Sequence, residues 1–502
     1  MADAGRLRAD AAAIWEAAIE SVKPERLVAA RLAIVDDELR FDGRPLDPPL
    51  DLAAAGRIVV VGAGKAAAGM AAGVESLLGR DRLARHRVAG LVSVPAGSGR
   101  TLARIAVRET RPAAVNLPTA AVVAATDEML AVVQALGPED VVLAVVSGGG
   151  SALLCRPRPG VPLADKVAVT RFLAAAGADI RAVNLVRQAA SVVKGGGLAR
   201  ACRAGRLIVL VLSDVIGDPL DVIASGPCMP VAVEPRAALG VLERFGALRA
   251  GVAPAVVAAL DAQGTARPAC GMPFDAGSPA DVTTGTWTTP AGCRVTHLIL
   301  GGNATAVAAA AMRARDLGYE VSMRTGGPDG LAETATTVGR RLAAEGRMLA
   351  GEAAEDGRHR AVIEGGEATV TVPTDHGLGG RNQQTVAAAL AASRETADAW
   401  PRGLLLASVG TDGEDGPTAA AGGVADAAVV AAIEIGGLDP VRAVARCDAL
   451  PLLESAAGLI VTGPTGTNVA DLRILLAGPP AAGPAAGADG ACDTADLTPR
   501  GA

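Results

Sequence analysis

Three times in its amino-terminal half the sequence runs a short β-branched stretch into a polar, glycine-rich turn and then into alanine-rich sequence of helical character. Arg57-Ile58-Val59-Val60-Val61 leads into Gly62-Ala63-Gly64-Lys65. Val141 to Val146 leads into Ser147-Gly148-Gly149-Gly150-Ser151, and Arg206 to Leu212 into Ser213-Asp214-Val215-Ile216-Gly217-Asp218. Strands apolar on both faces, alternating with helices, imply an α/β fold with a mostly parallel sheet covered on both sides. In such sheets ligands bind beyond the carboxyl ends of the strands, where all three turns lie.

The rest of the chain is organised around this core. Residues 8–35, rich in Ala and Leu with charges at helical spacing, read as a helical arm. Residues 264–292 are rich in Gly, Pro, Thr and Ser and read as a linker or surface loop. A second, less regular α/β block opens with a strand, Thr296 to Leu300, ending in Gly301-Gly302-Asn303-Ala304-Thr305. It continues with alternation over Ala368-Thr369-Val370-Thr371-Val372 and a buried strand at Leu404 to Val409. The expected divisions are 1–263, 264–292 and 293–477, with a disordered tail over 478–502.

Composition excludes several functions. The formal net charge is -6 and aromatics are 2 % of residues. Neither a basic field nor stacking platforms for bases are at hand, so nucleic acid is not an expected partner. Seven cysteines without a C-x-x-C pair and four dispersed histidines suggest no disulfide framework or zinc site. No apolar run approaches the roughly 20 residues of a membrane span, and the start, MADAGRLRAD, lacks a signal-peptide core. A cytoplasmic protein is expected; a homodimer is left open. Only four lysines occur, Lys23, Lys65, Lys166 and Lys194, against many arginines. A lysine in such a composition is more informative than an arginine.

Each turn offers specific chemistry. Gly62-Ala63-Gly64-Lys65 follows a strand and opens a helix, where unpaired amides and a lysine suit phosphate. It is not a Walker A loop, since Ala66 stands where Ser or Thr would hold magnesium. Nor is it a dinucleotide fingerprint, because the third glycine falls late, at Gly69, and the next strand ends Ser93-Val94-Pro95 without an acid. Ser147, Gly148, Gly149, Gly150 and Ser151 permit close backbone approach to a phosphate or carboxylate. Asp214 and Asp218 can hold Mg²⁺ or take a proton, or simply cap helices. Arg381, in Gly379-Gly380-Arg381-Asn382-Gln383-Gln384, is placed to clamp an anion in two-pronged fashion. Thr411-Asp412-Gly413-Glu414-Asp415 packs three acids among glycines, as a cation loop or an acidic surface turn. Several anion-binding turns, one special lysine and acid-rich strand ends together point to phosphate and magnesium chemistry.

Taken in order, these segments resemble the MOFRL-type glycerate 2-kinases, the glycerate kinase type 2 family. The resemblance rests on Val60 to Ala66, Ser147 to Leu153, Asn184 to Arg187, Val193 to Gly196 and Leu212 to Pro219. It continues through Gly301 to Thr305, Gly365 to Glu367, Gly379 to Gln383, Gly410 to Gly413 and Gly466 to Leu472. It implies a Rossmann-like amino-terminal domain, a smaller α/β MOFRL domain and an active site in the cleft between them. It further implies transfer of the γ-phosphoryl group of ATP to the 2-hydroxyl of D-glycerate. Lys65 and Arg381 match the family's active-site lysine and arginine. Asp214 is the expected base or metal ligand, with Asp218 and Asp412 as further Mg²⁺ ligands. Gly62, Gly64, the 147–151 turn, Asn303 and Asn382 are the expected contacts to substrate or phosphate.

Three segments depart from the family pattern. Thr110 to Pro118 replaces a Gly-His-Pro-Val-Pro-Asp stretch, Arg187-Gln188-Ala189 replaces Arg-Lys-His, and Gln384 stands where an acid is usual. They bear on which hydroxy acid is used. Two other readings remain: an NAD(P)H-dependent hydroxypyruvate reductase, and a non-catalytic relative that binds a sugar acid.

Overall fold

The computed structural model describes residues 2–113, 115–265, 285–326, 333–395 and 399–480. The chain divides into two units, one comprising Pro24–Gly301 and the other joining the segment up to Lys23 to the chain from Gly302 onward.

The first unit opens with a helix, Pro24–Arg31, and a three-stranded antiparallel sheet of β1 (Leu32–Val35), β2 (Glu38–Phe41) and β3 (Arg44–Asp51). The helical arm expected to reach residue 35 therefore ends at Arg31. The reason lies in two tight turns. Asp36 and Asp37 have φ of 52° and 59°, and Asp42-Gly43 has 50° and 73°. Paired left-handed residues give a twist that matches flanking strands and close hairpins.

The main sheet of this unit contains β4 (Ile58–Ala63), β5 (Ala89–Pro95), β6 (Ile105–Arg111), β7 (Val141–Ser147), β8 (Arg206–Leu212), β9 (Thr286–Thr288) and β10 (Arg294–Gly301). Its order is β6-β5-β4-β7-β8-β10-β9, parallel throughout except for β9 at the edge. Counting the six parallel strands along the chain gives 3-2-1-4-5-6, the doubly wound Rossmann order. Val59, Val61, Val142, Ala144, Leu207 and Val209 pack on Met129, Val133 and Leu198 to form its core. Helix starts are fixed by side chains: Thr119 accepts the Val122 N–H at 3.3 Å and Asp179 the Ala182 N–H at 2.8 Å.

The second unit carries a six-stranded mixed sheet. Its strands are β11 (Glu320–Thr325), β12 (Arg360–Gly366), β13 (Leu404–Gly410), β14 (Gly422–Ala425), β15 (Leu459–Ile460) and β16 (Asp471–Ala477), ordered β11-β12-β16-β13-β14-β15. Only β11 and β12 pair in parallel. The alternating stretch 368–372 is not a strand of this sheet. Thr369 makes one isolated bridge, to Thr334. Ala368 is buried but Val372 is exposed, and no neighbouring strand completes a ladder.

These units differ from the expected divisions at two places. The amino-terminal helix, Ala2–Ser21, belongs to the second unit. Tyr319 Oη donates to Asp10 at 2.7 Å, Arg8 Nε to Asp426 at 2.6 Å, and Thr467 Oγ1 to the Val22 carbonyl at 2.7 Å. At the other boundary, β10 pairs with β8 and so lies in the first unit, although its residues were expected to open the second domain. Most of the expected linker and tail, 266–284 and 481–502, lies outside the described residues. Among the described residues no helix is long and apolar enough to cross a membrane.

Candidate functional site

The strand order of the main sheet reverses between β4 and β7, and the two turns at that point are bonded together. The Lys65 N–H donates to the Gly148 carbonyl at 2.8 Å, and the Ala66 N–H to Ser147 Oγ at 3.0 Å. The Gly64 N–H donates to the Ser93 carbonyl at 3.2 Å. The amides expected to cradle an anion after β4 are thus spent inside the protein. Ser147, fully buried, is an acceptor for Ala66 and not a member of a ligand cradle.

The turn glycines serve backbone approach. A methyl group on Gly62 would meet the Val145 carbonyl oxygen at 1.9 Å, and one on Gly64 would meet Ser147 Oγ at 2.1 Å. Both therefore space β4 against β7 instead of contacting phosphate. Gly149 differs. It is left-handed, with φ of 74°, and a methyl group there would lie 3.5 Å from both Lys65 Cγ and Arg111 Nη2. Two cationic side chains thus converge on the glycine loop, at the strand ends where such sheets bind ligands. Arg111 was not among the expected site residues. Its Nη1 donates to the carbonyls of Pro112 and Val115 at 3.1 and 2.7 Å, which anchors the segment that departs from the family pattern.

Beyond Gly149 the loop enters the short helix Gly150–Leu153, which abuts a strained turn. Ala224, Ser225 and Gly226 have φ of 50°, 61° and 59°. Two non-glycine residues in succession in the left-handed region are costly and persist only when the surroundings impose them. Here Lys194 Nζ donates to the Ala224 carbonyl at 2.8 Å, and the Gly195 and Gly196 N–H groups to Ser225 and Gly226 at 3.1 and 2.7 Å. Ser225 Oγ lies 2.8 Å from Ser151 Oγ and donates to Asn184 Oδ1 at 2.9 Å. Lys166 Nζ donates to the Arg187 and Ala190 carbonyls at 3.0 and 3.2 Å, at the carboxyl end of helix Ile180–Ala189. Ser151, Lys166, Arg187 and Lys194 line one cavity of about 40 Å³. Of these only Ser151 was an expected site residue; the rarity of lysine was the signal that pointed to the other two amines.

Asp214 and Asp218 sit on the turn after β8, both half-buried. Burial pushes the Asp218 carboxyl above its usual range, against a hydrogen bond from Ser213. Two carboxylates on one strand-end turn match what Mg²⁺ takes from proteins, one or two acids completed by phosphate oxygens and water. Among the described residues no three His, Cys, Asp or Glu gather into a metal-holding group. Asp412 belongs to the second unit, where its Oδ1 accepts the Glu414 N–H at 3.0 Å.

In that unit Arg381 begins the helix Arg381–Glu395 and is forked onto Asp471, with Nε and Nη2 donating at 2.6 and 2.8 Å. Its Nη1 lies 3.0 Å from Glu367. Burial alone would lower Arg381; the Asp471 and Glu367 carboxylates outweigh it and hold the guanidinium charged. The helix start already carries an anion, since the Asn382 and Gln383 N–H groups donate to Asp415 at 3.0 and 2.8 Å.

Both expected asparagines are tied into the second unit by their side chains. Asn382 Nδ2 donates to Asp471 at 3.0 Å and its Oδ1 accepts from Ser408 at 2.6 Å. Asn303 Nδ2 donates to the Val469 and Asp471 carbonyls at 2.8 and 3.0 Å. Both side chains are buried and hold the Gly365–Asp471 region together.

Two family models match the chain: a domain of unknown function, DUF4147, over residues 10–261, and the MOFRL family over 360–471. A D-glycerate 2-kinase from Thermotoga maritima is 33 % identical over 95 % of this chain and 100 % of its own length. A putative hydroxypyruvate reductase from Agrobacterium vitis is 34 % identical over 84 % of this chain and 100 % of its own. The crystal structure of a glycerate kinase from Thermotoga maritima superposes with a TM-score of 0.71 at 30 % identity, covering 94 % of this chain and 100 % of that one. Sequence and fold agree over nearly the whole length, and this chain belongs to the DUF4147–MOFRL family of glycerate kinases.

Proposed function

We propose that the protein is a cytoplasmic kinase that transfers the γ-phosphoryl group of ATP to the 2-hydroxyl of D-glycerate. The observation that carries this reading is the convergence of Lys65 and Arg111 on Gly149 at the point where strand order reverses. The names of the glycerate kinase relatives support the substrate.

In the proposed reaction the hydroxyl oxygen attacks the γ-phosphorus, the bond to the β,γ-bridging oxygen breaks, and ADP leaves. Asp214 takes the hydroxyl proton. Such transfer needs charge neutralisation on the phosphoryl oxygens more than covalent help. Lys65 supplies it, and Arg381 is proposed as a second phosphate contact by its match to the family's active-site arginine. Asp218, or Asp412 in the second unit, would hold Mg²⁺ together with the nucleotide phosphates. When bound, the ion supplies additional neutralisation of phosphate charge.

The spent amides after β4 weigh against the reductase reading. A dinucleotide pyrophosphate rests on that helix start, and here the Gly64, Lys65 and Ala66 N–H groups have internal acceptors. The end of β5 offers Ser93, buried and 2.6 Å from Thr110 Oγ1, where a ribose-binding acid would stand.

Two assays on the purified protein separate the readings. D-glycerate with Mg-ATP is expected to release ADP, and hydroxypyruvate to leave NADH absorbance unchanged. Oxidation of NADH without ADP release would replace the kinase with the reductase. A rise in melting temperature with sugar acids, and neither reaction, would favour a binding protein.

A further inference from the structure

The cavity bounded by Ser151, Lys166, Arg187 and Lys194 is charged in one sense only. Three cationic side chains line it and no carboxylate does. Lys166 and Lys194 are 5 % and 2 % exposed. Burial, together with repulsion from the neighbouring cations, pushes Lys166 down to about 8 and Lys194 down to about 7. A bound anion would remove that mutual repulsion.

The hydroxyl beside these cations has a fixed sense. Ser225 Oγ donates its one hydrogen to Asn184 Oδ1, so the 2.8 Å contact between Ser151 and Ser225 carries the hydrogen of Ser151. Ser151 therefore offers the cavity lone pairs alone and accepts from a ligand O–H. Cations for a carboxylate next to an acceptor for a hydroxyl make a complementary set for a hydroxy acid. The volume, about 40 Å³, suits a carboxylate and its α-carbon and is far too small for a triphosphate chain. Ser151 is also two residues beyond Gly149, which lies against Lys65.

We infer that this cavity seats the carboxylate of the hydroxy-acid substrate, with Lys166, Arg187 and Lys194 as its counter-charges and Ser151 accepting from a substrate hydroxyl. The inference rests on the hydroxy-acid kinase reading above and adds to it the residues that recognise the acid.

The test is steady-state kinetics on the full chain, varying D-glycerate and ATP separately, for wild type, Lys194→Met, Arg187→Met and Ser151→Ala. The expected result is a KM for D-glycerate raised at least tenfold in both cation variants and threefold or more in Ser151→Ala. The KM for ATP should stay within twofold. A raised KM for ATP with that for D-glycerate unchanged would make the cavity a phosphate site and overturn the inference. If neither KM moves, the lysines are ties to backbone carbonyls and no more. Lys194 also braces the Ala224 turn, so Lys194→Met is read only if it melts cooperatively; Arg187→Met decides otherwise. If wild type shows no kinase activity, calorimetry with D-glycerate and D-lactate still reads the cavity. Binding by wild type that Arg187→Met weakens tenfold would support it without the kinase. No binding of either acid by wild type would overturn it.

Discussion

The Ala66 N–H donates to Ser147 Oγ at 3.0 Å, joining the turns that follow β4 and β7 where the order of the parallel sheet reverses. With the Lys65 N–H on the Gly148 carbonyl, it fixes the stem of the lysine against the glycine loop. The glycines act as spacers for backbone approach, and the chemistry is left to side chains.

After Gly62, Gly64 is the tightest of these spacers. It has φ of 144°, and an added methyl group would lie 2.1 Å from Ser147 Oγ and 2.7 Å from the Ser147 carbonyl oxygen. Gly64→Ala is expected to cost about 2 kcal/mol or more of unfolding free energy, from backbone strain and overpacking. Turnover should fall at least tenfold as Lys65 shifts. Urea denaturation and a turnover assay check both; wild-type values in each would mean that the junction yields freely.

Arg381 carries a structural load besides any contact with phosphate. Its removal strands Asp471, which is 0 % exposed and otherwise held by Asn382. Arg381→Ala is expected to lose up to about 3 kcal/mol of stability, as when one partner of a buried ion pair is deleted. Arg381→Lys should lose the fork to Asp471 and retain the charge. Chemical denaturation of both variants orders them, with Ala the less stable.

The two acids after β8 are expected to separate in their effects. Asp214→Asn should lower kcat about 100-fold at every Mg²⁺ concentration, as loss of a general base does. Asp218→Asn should instead raise the Mg²⁺ concentration needed for half-maximal rate. Magnesium titrations of the two variants distinguish them, and identical shifts would merge the two roles.

Stability should depend on pH through the buried lysines. Folding lowers Lys166 to about 8 and Lys194 to about 7 from the ordinary value of 10.5. Between those values and 10.5 the unfolded chain binds more protons, so this contribution makes stability rise with pH. The penalty is complete below about pH 7 and is relieved as pH climbs toward 10.5. Lys194→Met should flatten the rise. Denaturation of both proteins at pH 7 and pH 9.5 reads the difference, and parallel curves would contradict it.

Much of this architecture was legible in the sequence because buried parallel strands are continuous β-branched runs. Arg206 to Leu212 is a strand over just those residues, Val141 begins a strand as expected, and Ile58 begins one a residue after the expected run opens at Arg57. The β1–β3 hairpins were missed because Leu32 and Ile34 continue the helical composition, although Asp42-Gly43 is a hairpin signal. The site was legible in outline only. Asn303 and Asn382 sit in ligand-like glycine motifs, yet their side chains bond internal partners, among them Val469 and Asp471, which are distant in sequence. Lys166, Arg187 and Lys194 come from separate segments, and no spacing in the chain announces that they share a cavity.

The most direct measurement is turnover of D-glycerate with Mg-ATP by wild type and Lys65→Ala, with product position read by phosphorus NMR. The predicted result is 2-phosphoglycerate from wild type and a rate at least 1000-fold lower from a variant that melts at the wild-type temperature, on the order expected when a phosphate-neutralising cation is removed. A Lys65→Ala protein that retains its rate, or a product carrying phosphate at another position, would contradict it.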